Sequence, residues 1–132
     1  MEVAVNPNEL PSLALAYVGD AVYELFVRKH LISTGVVRVN ELHRQAVKYV
    51  KATTQAKLVF LLEEELSEVE LAIVRRGRNA KSGQTPKNTG ILEYRQSTGF
   101  ESLLGYLHLT GQDERLESIL GKIPQLVEQT SI

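Results

Sequence analysis

Leu13 to Val27 reads LALAYVGDAVYELFV, and apart from Asp20 and Glu24 every residue in it is apolar, tyrosine or glycine. A helix of this composition is predicted to be buried almost all round. It is too short and too acidic to span a membrane, which takes about 18 or more apolar residues. The spacing of four places Asp20 and Glu24 on one face. Taking one ion out of water costs several kcal/mol, against a total stability of about 5 to 15 kcal/mol for a domain of ordinary size. Each acid must therefore face solvent, meet a cation or hold a metal. Glu24 has Arg28 one turn on, so a helical ion pair accounts for it. Asp20 has Ala16 four residues before it and the like-charged Glu24 four after. Gly19 beside it adds a second local penalty, up to about 1 kcal/mol relative to alanine, and removes a side chain where another helix or a ligand can come close.

Outward from this stretch the pattern is helical, with little strand-like alternation, and an all-α domain is expected. The first helix is predicted from about Ser12, taken as its cap, to about Ile32, stopped near Gly35. A second is expected over roughly Asn40 to Val50 with Asn40 as cap, and a third over roughly Thr53 to Glu64. Ser67 and Glu70 form a capping box for a fourth that ends near Arg76. Gly77 to Gly90, GRNAKSGQTPKNTG, reads as a loop whose length suggests function. A short helix from about Leu92 and a periodic one from about Thr98 to Leu109 follow, ended by Gly111. In the last helix Pro124 is expected to introduce a kink or an early end.

The whole sequence, 132 residues with 43% hydrophobic and 23% charged, suits one domain over 1–132 with a single core. Absence of cysteine excludes a disulfide scaffold, a thiolate nucleophile and a zinc ribbon. No secretory leader is visible at the start, so a cytoplasmic chain with no membrane association is expected. The formal net charge of −1 conceals segregation. Between Leu42 and Leu62 the formal charges are Arg44, Lys48, Lys51 and Lys57; Glu63, Glu64, Glu65, Glu68 and Glu70 follow; then Leu71 to Leu92 carries Arg75, Arg76, Arg78, Lys81 and Lys87 with no acid. The first basic block reads equally well as a solvated face. The second favours an anionic partner, although Arg75 and Arg76 also suit the end of a helix dipole.

Glu101 repeats the motif of the first helix: an acid with a glycine, Gly105, one turn away. Thr98 and Glu101 also have capping-box spacing, which offers a purely local role. Two glycine-bearing helices can pack closely, and such a crossing would bring Asp20 and Glu101 together. Adjacent carboxylates repel unless a proton or a divalent cation lies between them. Mg²⁺ suits such a site, since it takes one or two carboxylates and completes its shell with water and phosphate oxygens. His30, His43 and His108 are scattered without metal-ligand spacing and receive no role.

AYVGDAVYELFVR, Ala16 to Arg28, resembles the signature helix of the ribonuclease III family, and FESLLGYLHL, Phe100 to Leu109, resembles that family's second acidic motif. With RRGRNAKSGQTPKN between them, the chain is similar over nearly its whole length to the short bacterial branch that has the catalytic domain alone. The resemblance implies an all-helical homodimer that hydrolyses double-stranded RNA with Mg²⁺, each subunit cutting one strand, with the large-subunit ribosomal RNA precursor as substrate. It matches Asp20 and Glu101 to the family's essential acids as catalytic and metal-holding residues. It implies no small-molecule cofactor and no separate double-stranded-RNA-binding domain. Longer relatives have acids where this chain has Ala16 and Thr98, which leaves the number of ions per site open.

Gripping A-form RNA through phosphates and 2′-hydroxyls suits flexible basic segments, and Arg75, Arg76, Arg78, Asn79, Lys81 and Lys87 are the candidates. Two other readings compete. Ala16 and Thr98 favour a relative that binds structured RNA or the ribosome without cutting, and the near-neutral charge favours a helical protein-interaction module.

Overall fold

A computed structural model describes residues 5–80 and 90–130. Six α-helices form the architecture: α1 Ser12–Ser33, α2 Val39–Val50, α3 Ala52–Leu62, α4 Glu68–Asn79, α5 Ile91–Leu109 and α6 Asp113–Thr130, with short 3-10 turns at Pro7–Glu9 and Glu63–Glu65. No strand occurs among the described residues. The all-α expectation is met.

The helix buried nearly all round is α5, not α1. From Ser97 to Leu107 every α5 residue except Glu101 is buried. It packs against α1, α3, α4 and α6. Leu103, Leu104 and Leu107 supply the apolar mass, while Ser97, Thr98, Gly99, Ser102 and Gly105 let neighbouring helices approach from several sides. In α1 burial is confined to one stripe, Leu15, Ala16, Gly19, Tyr23, Val27 and Leu31. Tyr17 is 83% exposed and Leu25 60%. The expectation of all-round burial for α1 therefore fails in the isolated chain, because α5 occupies the centre and α1 lies against one side of it.

Several local expectations are corrected. Ser12 and Asn40 are not caps: Pro11 and Arg38 hold those positions with no side-chain cap bond. The two helices expected between Leu92 and Leu109 are one, and Thr98 lies inside it, its hydroxyl donating to the Tyr94 carbonyl at 3.1 Å. The capping role considered for Glu101 thus falls away. Helix α4 continues past Arg76 to Asn79, and α6 runs through Pro124 to Thr130.

The chain punctuation at Ser67, Gly35 and Gly111 is as expected. Ser67 and Glu70 exchange both bonds of a capping box. Gly35 and Gly111 carry positive φ of 99° and 72° just past α1 and α5. At Gly111 the amide donates to the His108 carbonyl at 3.2 Å and that of Gln112 to Leu107 at 2.9 Å, the Schellman pair of helix-closing bonds.

Glu70 also ties α4 to α6. Arg115 Nε donates to its Oε2 at 2.8 Å, Nη2 donates to its Oε1 at 2.9 Å, and Nη2 reaches the Glu65 carbonyl at 2.8 Å. The Glu70 side chain is 8% exposed, so the carboxylate depends on this partner. The hydrogen bonds from Arg115, against the opposing effect of burial, hold the Glu70 carboxyl below its ordinary value. A lowered folded-state pKa gives stability that is present above the unfolded value and is lost as pH falls through the lowered one. Arg115→Met is expected to cost about 1–3 kcal/mol near neutral pH and to flatten the acid limb of stability against pH. Equal acid limbs for wild type and variant in urea titrations would contradict this.

Candidate active site

The site is built on backbone contact. A Cβ added to Gly19 would overlap the carbonyl oxygen of Glu101 and lie 2.9 Å from the Gly105 amide nitrogen. A Cβ on Gly105 would overlap the Leu15 carbonyl oxygen and lie 3.0 Å from the Gly19 nitrogen. Helices α1 and α5 therefore cross at glycine on both sides, as the sequence suggested. Asp20 follows Gly19 on α1 and Glu101 stands one turn before Gly105 on α5, so the crossing brings the two acids together.

Asp20 is exposed and Glu101 is partly buried. Burial, then the charge and hydrogen bonding of neighbouring Asp20, push the Glu101 carboxyl up to about 8. The Gln55 amide opposes this from 3.5 Å, and the charge of Glu24 reinforces it. Glu24 itself pairs with Arg28 at 3.1 Å, the helical pair expected for it. Among the described residues, no Lys or Arg forms an ion pair with Asp20 or Glu101.

This donor set fits a hard divalent cation. Asp20 and Glu101 lack a described cationic partner, and Gln55, whose Nε2 lies 3.5 Å from Glu101 Oε2, has a buried Oε1 with no hydrogen-bond partner. No group of three or more His, Asp or Glu suited to a metal occurs among the described residues. An exposed acid beside a partly buried one, both oxygen donors, matches Mg²⁺ better than zinc, which favours nitrogen and sulfur ligands in closed tetrahedra. Ala16 and Thr98, each 7% exposed, serve as packing positions and extend the ligand set no further.

Sequence reasoning missed two neighbours of the site. Gln55 shares the buried face of α3 with Leu58, Val59 and Leu62, and a lone amide on that i, i+3, i+4, i+7 stripe was the available signal. Tyr23, one turn after Gly19, is fully buried; its hydroxyl donates to the Tyr49 carbonyl at 2.8 Å and its ring meets Phe100 edge-on at 5.1 Å. Of the histidines, His30 stacks on Phe26.

The basic candidates divide. Arg75, Arg76 and Asn79 are exposed on the last turns of α4, and Arg78 is half-buried there. They belong to a helix rather than to the loop in which Arg78 and Asn79 were expected. Lys81 and Lys87 lie outside the described residues. A second glycine crossing seats this end of α4 on α5: a Cβ on Gly77 would stand 2.8 Å from the Gly99 Cα, and one on Gly99 2.6 Å from the Val74 carbonyl oxygen.

Two acids brought together at a glycine crossing of an all-helical domain make a candidate site for a divalent cation. Comparison with known proteins narrows it. The Ribonuclease III domain model matches residues 13–112. A Mini-ribonuclease 3 of Symbiobacterium thermophilum is 52% identical over 94% of this chain and 95% of its own, and one of Streptococcus pneumoniae 47% identical over 94% and 98%. A crystal structure of a Fusobacterium nucleatum protein superposes with a TM-score of 0.80 at 26% identity, covering 89% of this chain and 93% of that one. The chain belongs to the ribonuclease III family, whose members are endoribonucleases that hydrolyse phosphodiester bonds.

Proposed function

We propose that this chain is a homodimeric endoribonuclease of the cytoplasm that cuts double-stranded RNA, with Mg²⁺ held by Asp20 and Glu101, and that it matures the large-subunit ribosomal RNA precursor. The convergence of the two acids at the Gly19 and Gly105 crossing carries this reading. The substrate assignment rests on the resemblance to the short family branch, together with the Mini-ribonuclease 3 relatives.

When bound, the cation would neutralise charge on the phosphodiester and lower the pKa of a water. Asp20, exposed at the crossing, and Glu101, set deeper, would hold that charge, and the glycines at the crossing let their two helices come close enough for both acids to reach it. Water attacks phosphorus in line, the bond to the leaving ribose oxygen breaks, and no side chain forms a covalent intermediate. The chain has no cysteine to serve as a thiolate nucleophile.

Arg75, Arg76, Arg78, Asn79, Lys81 and Lys87 are proposed to contact RNA phosphates. Replacing Arg75 or Arg78 with alanine should weaken binding and lower the slope of log affinity against log salt by about 1 per lost contact. An unchanged slope for both would remove Arg75 and Arg78 from the interface.

Pairing with a second copy is supported by apolar side chains left in solvent: Tyr17 is 83% exposed, Phe60 75% and Leu92 72%. Two-fold symmetry would set identical sites against the two antiparallel strands. The test is incubation of a structured double-stranded RNA with Mg²⁺ or with EDTA, alongside sedimentation of the protein. Metal-dependent cuts in both strands by a dimer are expected; cutting in EDTA or a monomer active on both strands contradicts the proposal.

A further inference from the structure

Gln55 is 3% exposed and sits in the first turns of α3, facing α5. Its Nε2 donates to the Val50 carbonyl at 2.9 Å and lies 3.5 Å from Glu101 Oε2. A carbonyl only accepts, so the bond to Val50 fixes which end of the amide is nitrogen. The second hydrogen of the same nitrogen is then the one available to the Glu101 carboxylate. Oε1 is left buried without a partner.

We propose that Gln55 is a positioning residue for the cation site: its amide, clamped on Val50, orients Glu101 through Nε2 and leaves Oε1 as the acceptor for a water at that site. This inference rests on the assignment of Asp20 and Glu101 as the cation's holders. Two features separate it from simple core filling. Methionine would occupy the same space without an unpaired buried oxygen, which forfeits a hydrogen bond made in the unfolded chain; of the two such oxygens among the described residues, Gln55 Oε1 and Gln96 Oε1, it is that of Gln55 whose amide also reaches Glu101. The clamp is also rigid, since the neighbouring Tyr49 carbonyl accepts from Tyr23 of α1, so α1 and α3 both fix the α2–α3 junction from which Gln55 reaches Glu101. Groups that orient a ligand are typically worth about 10- to 100-fold in metal affinity.

The test uses the full chain without RNA. In a Mg²⁺ titration of the ¹⁵N-labelled protein, the Gln55 side-chain amide signals are expected to shift along the same saturation curve as calorimetric binding. Gln55→Met is expected to keep the thermal midpoint within a few degrees, weaken Mg²⁺ about 10- to 100-fold, and recover RNA cleavage when Mg²⁺ is raised. Unmoved amide signals while the wild type binds Mg²⁺, or wild-type affinity in Gln55→Met, would overturn the inference and leave the site assignment standing. Mg²⁺ binding that Asp20→Asn does not diminish would instead overturn the site assignment, and this inference with it. Should Gln55→Met not fold, the wild-type amide shifts decide alone.

Discussion

Asp20→Asn should leave a folded protein that binds double-stranded RNA and cuts it at least about 10³-fold more slowly, the rate equivalent of several kcal/mol of charge stabilisation. The expectation follows from position. Asp20 is exposed on the first turn past the Gly19 contact, so the amide can replace it without disturbing packing. Its charge contributes, after burial, to the raised pKa of Glu101, and removing that repulsion should leave the metal-free protein at least as stable as wild type. RNA affinity should hold or rise, because one negative charge near the phosphates is gone. Single-turnover cleavage of labelled RNA at fixed Mg²⁺, with binding measured in EDTA, separates these effects. Undiminished cutting would end the mechanism, and loss of binding alone would relocate Asp20 to substrate recognition.

Gly19→Ala and Gly105→Ala are expected to have the largest effects on stability. Each added methyl would overlap a backbone carbonyl of the facing helix, Glu101 for Gly19 and Leu15 for Gly105, and backbone cannot step aside as a flexible side chain can. Separating α1 from α5 would also loosen the packing of Leu15, Tyr23 and Leu104, all fully buried. A loss of at least about 3 kcal/mol is expected, equivalent to a fall in Tm of about 10 °C or more. Gly121 supplies the control, since an added Cβ there meets nothing within 4 Å. Gly121→Ala on α6 should stabilise by roughly 0.5–1 kcal/mol through helix propensity. Opposite signs for the two kinds of substitution test the crossing; equal small effects at Gly19, Gly105 and Gly121 would show that the close contact is not what holds α1 to α5.

The crossing was legible because acid and glycine recur within one turn on two helices, a local oddity that costs stability unless something is gained. The centrality of α5 was not legible in the same way. Ser97, Thr98 and Gly99 look like a break between helices when judged by hydrophobicity, whereas all three are buried inside α5, and Gly99 with Ser102 is where α4 comes close at Gly77. For the same reason α4 extends past the end that composition predicts: Gly77, which by sequence opens a polar loop, is a packing glycine inside the helix. Cap assignment failed at Ser12 and Asn40, where a residue type favoured at caps stands just inside the helix. It held at Ser67, where Glu70 completes the reciprocal bond. Gln55 escaped notice because a single amide among leucines carries no charge to draw attention; its meaning comes from Val50 and Glu101, which only folding brings near it.

Crystals grown with Mn²⁺ in place of Mg²⁺ and measured for anomalous scattering address the site without relying on catalysis. A single strong peak, or a close pair, within bonding distance of the Asp20 and Glu101 carboxylates is expected, and it should vanish in Asp20→Asn. Peaks elsewhere with none between these two side chains would contradict the assignment of a cation-dependent nuclease site to the α1–α5 crossing.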